Sequence, residues 1–266
     1  STGKPAVQDP PTCDPTPGSG FTYYVDPVSG SNTRTLVEAR SQATPWKTIT
    51  KALQRINAGD TVVVLPGTYA ESLQIQDADA TLMAQTSGTV TITPPANTQK
   101  GISIAATGVT VDGFVVRGAS TGISAEAGAS SVTVRNSAVI GATMDAFRAF
   151  SLDGAVFEND VAAGAGGAGF ALRKATSVTV RNNLAYDNAE WGIHVDNTPV
   201  GAEVVPVSTG NLVAQNTTAF NTLGNVRLAN AIGDVRDNVI ADTPGTGLAI
   251  TTAGAVLLQN GFHQAT

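Results

Sequence analysis

From residue 88 onward, short runs in which apolar and polar residues alternate recur at a nearly constant interval along the chain. One column of apolar residues, mostly preceded by Gly, recurs every 21 to 24 residues, with a single interval of 33. Its members are Ile102, Ile123, Phe147, Phe170, Ile193, Val226 and Leu248. A period in the low twenties is typical of a solenoid, in which each repeat forms one coil.

A second column consists of residues suited to tight corners, and it repeats with nearly the same period. Its members are Gly113, Asn136, Asn159, Asn182, Asn216, Asp237 and Asn260. Asn tolerates left-handed backbone angles, and its amide can bond to the Asn of the next coil. Each repeat holds runs of period two and none of period 3.6, which excludes a helical solenoid. We therefore predict an all-β fold, a parallel β-helix of about 23 residues per coil.

The position before each corner residue shows a separate charge pattern. Its members are Asp112, Arg135, Glu158, Arg181, Gln215, Arg236 and Gln259. Charges of opposite sign on neighbouring strands attract each other, so alternation along this column favours pairing between coils. We interpret the column as a structural ladder.

The region before the repeats divides into a tail and a predicted helix. Residues 1–20 hold five Pro and three Gly without an apolar period, which predicts a disordered or linker tail before a β-helix domain at 21–266. Residues 45–57 follow the cap residue Thr44, begin with Pro45 and precede Gly59. One face of this helix is apolar, through Trp46, Ile49, Leu53 and Ile56. We expect the helix to cap the N-terminal end of the β-helix, with regular coils at 88–266.

Composition and charge narrow the function classes. The formal net charge of −6 argues against nucleic acid as a partner, because phosphate binding needs a broad basic surface. No apolar run is long enough to predict a membrane span. Cys13 is the single cysteine, so neither an internal disulfide nor a cysteine-based metal site is expected. The chain stops at "LQNGFHQAT", partway through a coil, which predicts an end-to-end protein contact at its C-terminal coil.

The run "YYVDPVSGSN…PWKTITKAL…AGDTVVVLPGTY", joined to these repeats, resembles the pectate-lyase-like superfamily over about residues 21–266. The resemblance implies right-handed coils, a secreted or cell-surface location and an extracellular polysaccharide as ligand. The catalytic motifs of the enzyme branches are incomplete in this chain. "DNTP" at 196–199 and "WGIH" at 191–194 are only fragments of the polygalacturonase set, and the Asp-Pro-His-Asp motif of alginate epimerases is absent.

Alternation along the strands identifies the outward residues beside the apolar column. If that column points inward, the next residue and the one two positions further point outward. One outer sheet is then predicted to carry Glu126, Arg148, Phe150, Arg173, His194, Asp196 and Arg227. These charges do not alternate in sign from coil to coil, which favours a functional role over a ladder. Lys174 is the only lysine expected near this face.

The coil that contains His194 is longer than its neighbours by 11 residues, approximately "TPVGAEVVPVS". We predict a protruding loop at 197–209, because extra residues cannot be accommodated within a coil. Binding groups often gather on loops that a rigid scaffold holds in place. Glu203 could return from this loop to the outward residues, and Trp191 lies directly before them.

Four hypotheses follow for this surface. In the first, Arg148, Arg173 and Arg227 bind carboxylates of an acidic polysaccharide, while Trp191 or Phe150 stacks on sugar rings. In the second, the chain is a polysaccharide lyase in which His194 or an Arg removes a proton beside a uronate carboxylate, which an Arg or a calcium ion neutralises.

In the third hypothesis, His194, Asp196 and Glu203 form a metal site, although no cofactor is expected for binding alone. In the fourth, the charges only keep a structural or adhesive surface module in solution. The sequence favours a secreted or cell-surface protein that binds or organises extracellular polysaccharide, with the lyase and the structural module as alternatives.

Overall fold

The chain winds repeatedly through three parallel β-sheets, and each full coil contributes one strand to each sheet. The computed structural model describes residues 20–198, 207–242 and 244–263. Its strands are numbered in chain order from β1 to β27. No strand pairs antiparallel among the described pairs, so the predicted parallel β-helix is confirmed.

The sheets differ in length and in which part of each coil they receive. Sheet A contains β1 (Thr22–Val25), β2 (Thr61–Val64), β5 (Thr81–Ala84), β8 (Thr110–Asp112), β11 (Ser130–Arg135), β14 (Asp153–Glu158), β17 (Thr176–Arg181), β20 (Ser208–Ala214), β23 (Ala231–Arg236) and β26 (Val256–Leu258). Sheet B contains β3 (Gly67–Tyr69), β6 (Val90–Ile92), β9 (Phe114–Arg117), β12 (Ala138–Ile140), β15 (Val161–Ala163), β18 (Leu184–Tyr186), β21 (Thr217–Ala219), β24 (Val239–Ala241) and β27 (Gly261–His263). Sheet C contains β4 (Leu73–Ile75), β7 (Ile102–Ile104), β10 (Ile123–Ala125), β13 (Phe147–Phe150), β16 (Phe170–Arg173), β19 (Trp191–Asp196), β22 (Gly224–Ala229) and β25 (Thr246–Ile250).

The predicted apolar column is the inward column of sheet C. Strand pairing places its members, from Ile102 to Leu248, directly above one another in successive coils. All are buried except Leu248, which is partly exposed. The rings of Phe147 and Phe170 stack with centroids 4.7 Å apart, close to the spacing between strands. Burial of each large side chain stabilises the fold by about 1.5–3 kcal/mol, so this stack helps to hold the coils together.

The corner column is correct at every predicted position except Asn216 and Asn260, where it shifts by one residue. Arg181 pairs with Ala214, so Gln215, and not Asn216, stacks on Asn182. Asn182 and Gln215 share left-handed backbone angles, with φ values of 56° and 57°. The same correction applies at the C-terminal end, where Gln259 has a φ of 50° and takes the place predicted for Asn260. The longest interval is therefore 33 residues in both columns.

Asn216 and Asn260 instead belong to a ladder of polar residues inside the coils. Asn216 is buried; its Nδ2 donates to the Val180 carbonyl at 2.9 Å, and its Oδ1 accepts from the Asn183 backbone N–H at 3.0 Å. Buried backbone groups at a turn need such partners, because an unpaired polar group in the interior costs free energy. The ladder consists of Ser137, Asp160, Asn183, Asn216, Asn238 and Asn260.

The predicted helix at 45–57 is wrong in its extent. The described helices are α1 (Leu36–Ala39) and α2 (Ile49–Leu53), and neither is long enough to be a clear capping helix. Trp46 lies in extended backbone, because its N–H donates to the Tyr24 carbonyl at 2.9 Å and its side chain stacks on Tyr23. The cap is consequently Thr48 and not Thr44. The four apolar residues of the predicted face are nevertheless buried in the core.

The other predicted segment boundaries can be compared with the structure only in part. The predicted tail, including Cys13, and most of the predicted loop lie outside the described residues. Within the predicted loop, β20 already begins at Ser208. Strands of all three sheets follow one another from Thr61 onward, ahead of residue 88. None of the described helices has the length and apolar character that crossing a membrane requires.

Candidate functional site

The outward side of sheet C brings the predicted site residues together on one surface. Arg148 pairs with Ala171, which pairs with His194, which pairs with Arg227. In the neighbouring outward column, Phe150 pairs with Arg173 and Arg173 with Asp196. Trp191 begins the strand that contains His194. We name this surface the sheet C strip, defined by Arg148, Phe150, Arg173, Trp191, His194, Asp196 and Arg227.

His194 lies in the middle of the strip and is almost completely buried, with 6% of its surface exposed. Its Nε2 is 3.2 Å from Asp196 Oδ2, but the contact lacks hydrogen-bond geometry, and neither ring nitrogen has a hydrogen-bond partner among the described residues. Burial, together with the charges of Arg227 and Arg173, lowers the pKa of His194 to about 4 against the opposing influence of Asp196. The imidazole is therefore neutral at pH 7 and able to accept a proton or a hydrogen bond.

Asp196 is the carboxylate at the centre of the strip. Burial would raise its pKa, but hydrogen bonds from Thr198, the charge of Arg227 and, below about pH 4, the charge of protonated His194 hold that pKa below the usual value. The backbone N–H of Thr198 donates to Asp196 Oδ1 at 2.8 Å, which fixes the carboxylate at the end of β19. Asp196 is therefore an anion at neutral pH, and it remains partly accessible to a ligand.

The three arginines of the strip lie against aromatic rings or a carboxylate. The guanidinium of Arg148 is 5.0 Å from the ring centroid of Phe150, and that of Arg227 is 5.7 Å from the ring of Trp191. Arg173 approaches Glu190 at 3.9 Å, a loose contact between two half-exposed side chains. In the described part of the chain, the buried Nε groups of Arg148 and Arg173 have no acceptor.

Glu126 has a partner that the sequence did not indicate. Its carboxylate accepts from the Lys100 ammonium and, at 3.1 Å, from the Ser103 hydroxyl. Burial would raise the pKa of Glu126, but these hydrogen bonds and the charge of Lys100 lower it. The expectation that Lys174 is the only lysine near this face is therefore wrong. Lys100 precedes the regular strand β7, where alternation gives no information about side-chain direction.

The metal hypothesis finds little support in the described residues. No group of three or more His, Cys, Asp or Glu side chains in this part of the chain could hold a metal ion. Glu203, the third predicted ligand, lies outside the described residues. Calcium prefers six to eight oxygen ligands. The described strip does not fit that ion, since it surrounds Asp196 with arginines.

The outer charges of sheet A behave differently from those of the strip. Arg135 Nε donates to Asp112 at 2.8 Å, and Arg181 Nε donates to Glu158 at the same distance. The predicted ladder is thus confirmed for these four residues. Beyond the long coil the one-residue shift replaces Gln215 and Gln259 by Ala214 and Leu258 in this column. The ladder satisfies its own charges, whereas the strip leaves donors unpaired.

The fold and the parallel stacking define the class of protein as a parallel β-helix. The family described as "Right handed beta helix region" matches residues 100–263, which is more than half of the chain. The chain therefore belongs to the right-handed β-helix family, and its resemblance to the pectate-lyase-like superfamily is confirmed. A comparison with curated proteins finds no match to the sequence.

Several solved structures share this fold at low sequence identity. A rhamnogalacturonan lyase is 13% identical, with a TM-score of 0.55 over 91% of this chain and 87% of its own. The A-module of the Azotobacter vinelandii mannuronan C-5 epimerase AlgE4 is 17% identical, with a TM-score of 0.54 over 75% of this chain and 68% of its own. The pectate lyase Pel9A is 15% identical, with a TM-score of 0.52 over 94% of this chain and 79% of its own. At these identities the likeness shows the fold alone.

Proposed function

We propose that this protein binds an acidic polysaccharide along the sheet C strip, in a secreted or cell-surface setting. The observation that carries the proposal is the group of three partly exposed arginines, Arg148, Arg173 and Arg227, on one side of sheet C. Guanidinium groups bind uronate carboxylates through charge-assisted hydrogen bonds.

The charge distribution and the relatives support the same ligand class. The chain as a whole has a formal net charge of −6, so a surface with three arginines is a local exception. Phe150 and Trp191 add aromatic rings beside the guanidinium groups. The three similar structures named above are enzymes of pectate, mannuronan and rhamnogalacturonan, which all contain uronates.

The proposal is tested by removing two guanidinium groups at once. We expect Arg148→Gln combined with Arg227→Gln to weaken binding of polygalacturonate and other acidic glycans about tenfold or more, because each charge-assisted hydrogen bond contributes roughly 1.5–3 kcal/mol. Calorimetric titration and a glycan array measure the effect.

The control is Arg117→Gln, which removes one guanidinium charge from the exposed side of sheet B. Equal weakening by the control and the double variant would contradict a site on the strip. So would a wild-type protein that binds no acidic glycan.

A second candidate function is β-elimination of a uronate polymer, which the state of His194 favours. A neutral imidazole beside the charges of Arg173 and Arg227 combines a proton acceptor with groups that neutralise a substrate carboxylate. The proton beside the carboxyl group would pass to His194 Nε2, the C–O bond at the neighbouring carbon would break as a C=C double bond forms, and the departing oxygen would take a proton from water.

This reaction is detected by ultraviolet absorbance of the unsaturated product. With the lyase function, wild type produces the signal at pH 7, and His194→Gln reduces the rate at least 100-fold, in keeping with the contribution of a general base. The rate should also fall as the pH drops through about 4, where His194 becomes protonated. No signal with any uronate polymer, with or without calcium, would remove the lyase and leave binding.

A further inference from the structure

The charges of the sheet C strip change sign along the axis of the β-helix. Successive coils present Arg173, then His194 with Asp196, then Arg227. Neighbouring strands in a sheet lie about 4.8 Å apart, so this order runs over two coil steps of roughly 10 Å in all. Each sugar of an extended polysaccharide spans a length similar to one coil step. A polysaccharide lying along the axis therefore places about one sugar on each coil.

The middle coil repels the carboxylates that its neighbours attract. Asp196 is ionised at neutral pH and His194 beside it is uncharged, so this coil has no cation of its own to offset the aspartate. A uronate placed there would bring two carboxylates together in a partly buried site, an arrangement that costs binding free energy. A sugar hydroxyl could instead donate to Asp196, and the ring of Trp191 in the same coil lies 6.2 Å from that of His194.

On this basis we infer that the ligand carries an uncharged sugar between two uronates, and that Asp196 selects it. The inference rests on the proposed function and adds the ligand's sequence to it. Arg173 and Arg227 bind the two uronates, while Asp196 excludes homopolymers in which every sugar is charged. The ligand class is thus an acidic heteropolysaccharide in which charged and neutral sugars alternate.

The experiment compares two kinds of polymer on wild type and Asp196→Asn. Hyaluronan and unsulfated chondroitin alternate a uronate with a neutral sugar, whereas polygalacturonate and polymannuronate are charged at every sugar. Affinities are measured per uronate in EDTA, which prevents calcium from bridging carboxylates. We expect wild type to prefer an alternating polymer, and Asp196→Asn to raise affinity for the homopolymers at least about fivefold while changing that for the alternating polymers less than twofold.

The amide oxygen that Asp196→Asn introduces can still accept the Thr198 hydrogen bond, so the substitution preserves the local fold, which thermal unfolding verifies. Asp234→Asn is the matched control, because it removes an exposed carboxylate from sheet A. If wild type binds both kinds of polymer and Asp196→Asn leaves their ratio unchanged, the inference fails while the proposed function stands. A preference of wild type for homopolymers, or weaker homopolymer binding by Asp196→Asn, also overturns it. If wild type binds no acidic polymer, both fail together.

Discussion

Asp160 is the one carboxyl group of the internal polar ladder, where the following coils have Asn183, Asn216 and Asn238. Its Oδ1 accepts from the Ser137 backbone N–H at 2.8 Å, while Oδ2 is buried without a partner in the described structure. Burial, reinforced by the charges of Glu158 and Asp112, raises the pKa of Asp160 well above its usual value. The folded protein therefore resists ionisation of this group.

We expect Asp160→Asn to stabilise the protein at alkaline pH by about 1–3 kcal/mol, the cost of an unsatisfied buried polar group. A raised folded-state pKa means that wild type loses stability as the pH rises above about 4, the ordinary pKa of an Asp in the unfolded chain. The advantage of the variant over wild type should accordingly shrink as the pH falls towards 4. Urea unfolding from about pH 4 to alkaline pH measures the difference in stability between the variant and wild type, with Asp234→Asn as a surface control. A destabilised Asp160→Asn at pH 8 would show that the carboxyl is needed.

At the level of strands and helices, the alternation of apolar and polar residues predicted most of the inward and outward positions that the structure has. The inward column of sheet C was correct from Ile102 to Leu248, since a period of two fixes which side of a strand faces the core. The corner column failed at Asn216 and Asn260 because Asn serves both the left-handed corner and the buried ladder one residue later, so residue type could not distinguish Gln215 from Asn216. The helix prediction failed because pairing of Trp46 with the first strand overrides local helical spacing.

The candidate site was likewise predicted in part: its positions were predicted, and its side-chain contacts were not. The positions of His194, Asp196 and the arginines on one face followed from alternation alone. Their contacts did not, because the pairing of Lys100 with Glu126 and the contact of Arg227 with Trp191 depend on side-chain conformation between coils. The sequence therefore located the strip but gave no account of which charges within it are already satisfied.

At the level of the whole molecule, the last described coil differs from those before it in how its inward positions are covered. Val235 and Ile240 are buried, whereas their successors Leu257 and Phe262 are 51% and 63% exposed. The backbone edges of β25, β26 and β27 are the last in their sheets among the described residues. Open strand edges and exposed apolar side chains favour association with another strand.

We expect a polypeptide of these 266 residues alone to self-associate through that coil as its concentration rises. Leu257→Lys combined with Phe262→Lys should give a monomer, because two charges in the contact repel a second copy and cannot be buried without cost. Sedimentation velocity over a hundredfold range of concentration measures the effect, and Leu184→Lys, on the exposed side of sheet B, is the control. A wild-type protein that stays monomeric throughout, or a control that dissociates the assembly equally, would contradict association at this end.

Because the strip runs along the coils and not across their ends, association of this kind would leave polysaccharide binding intact, so the double variant should keep wild-type affinity for the acidic polymer.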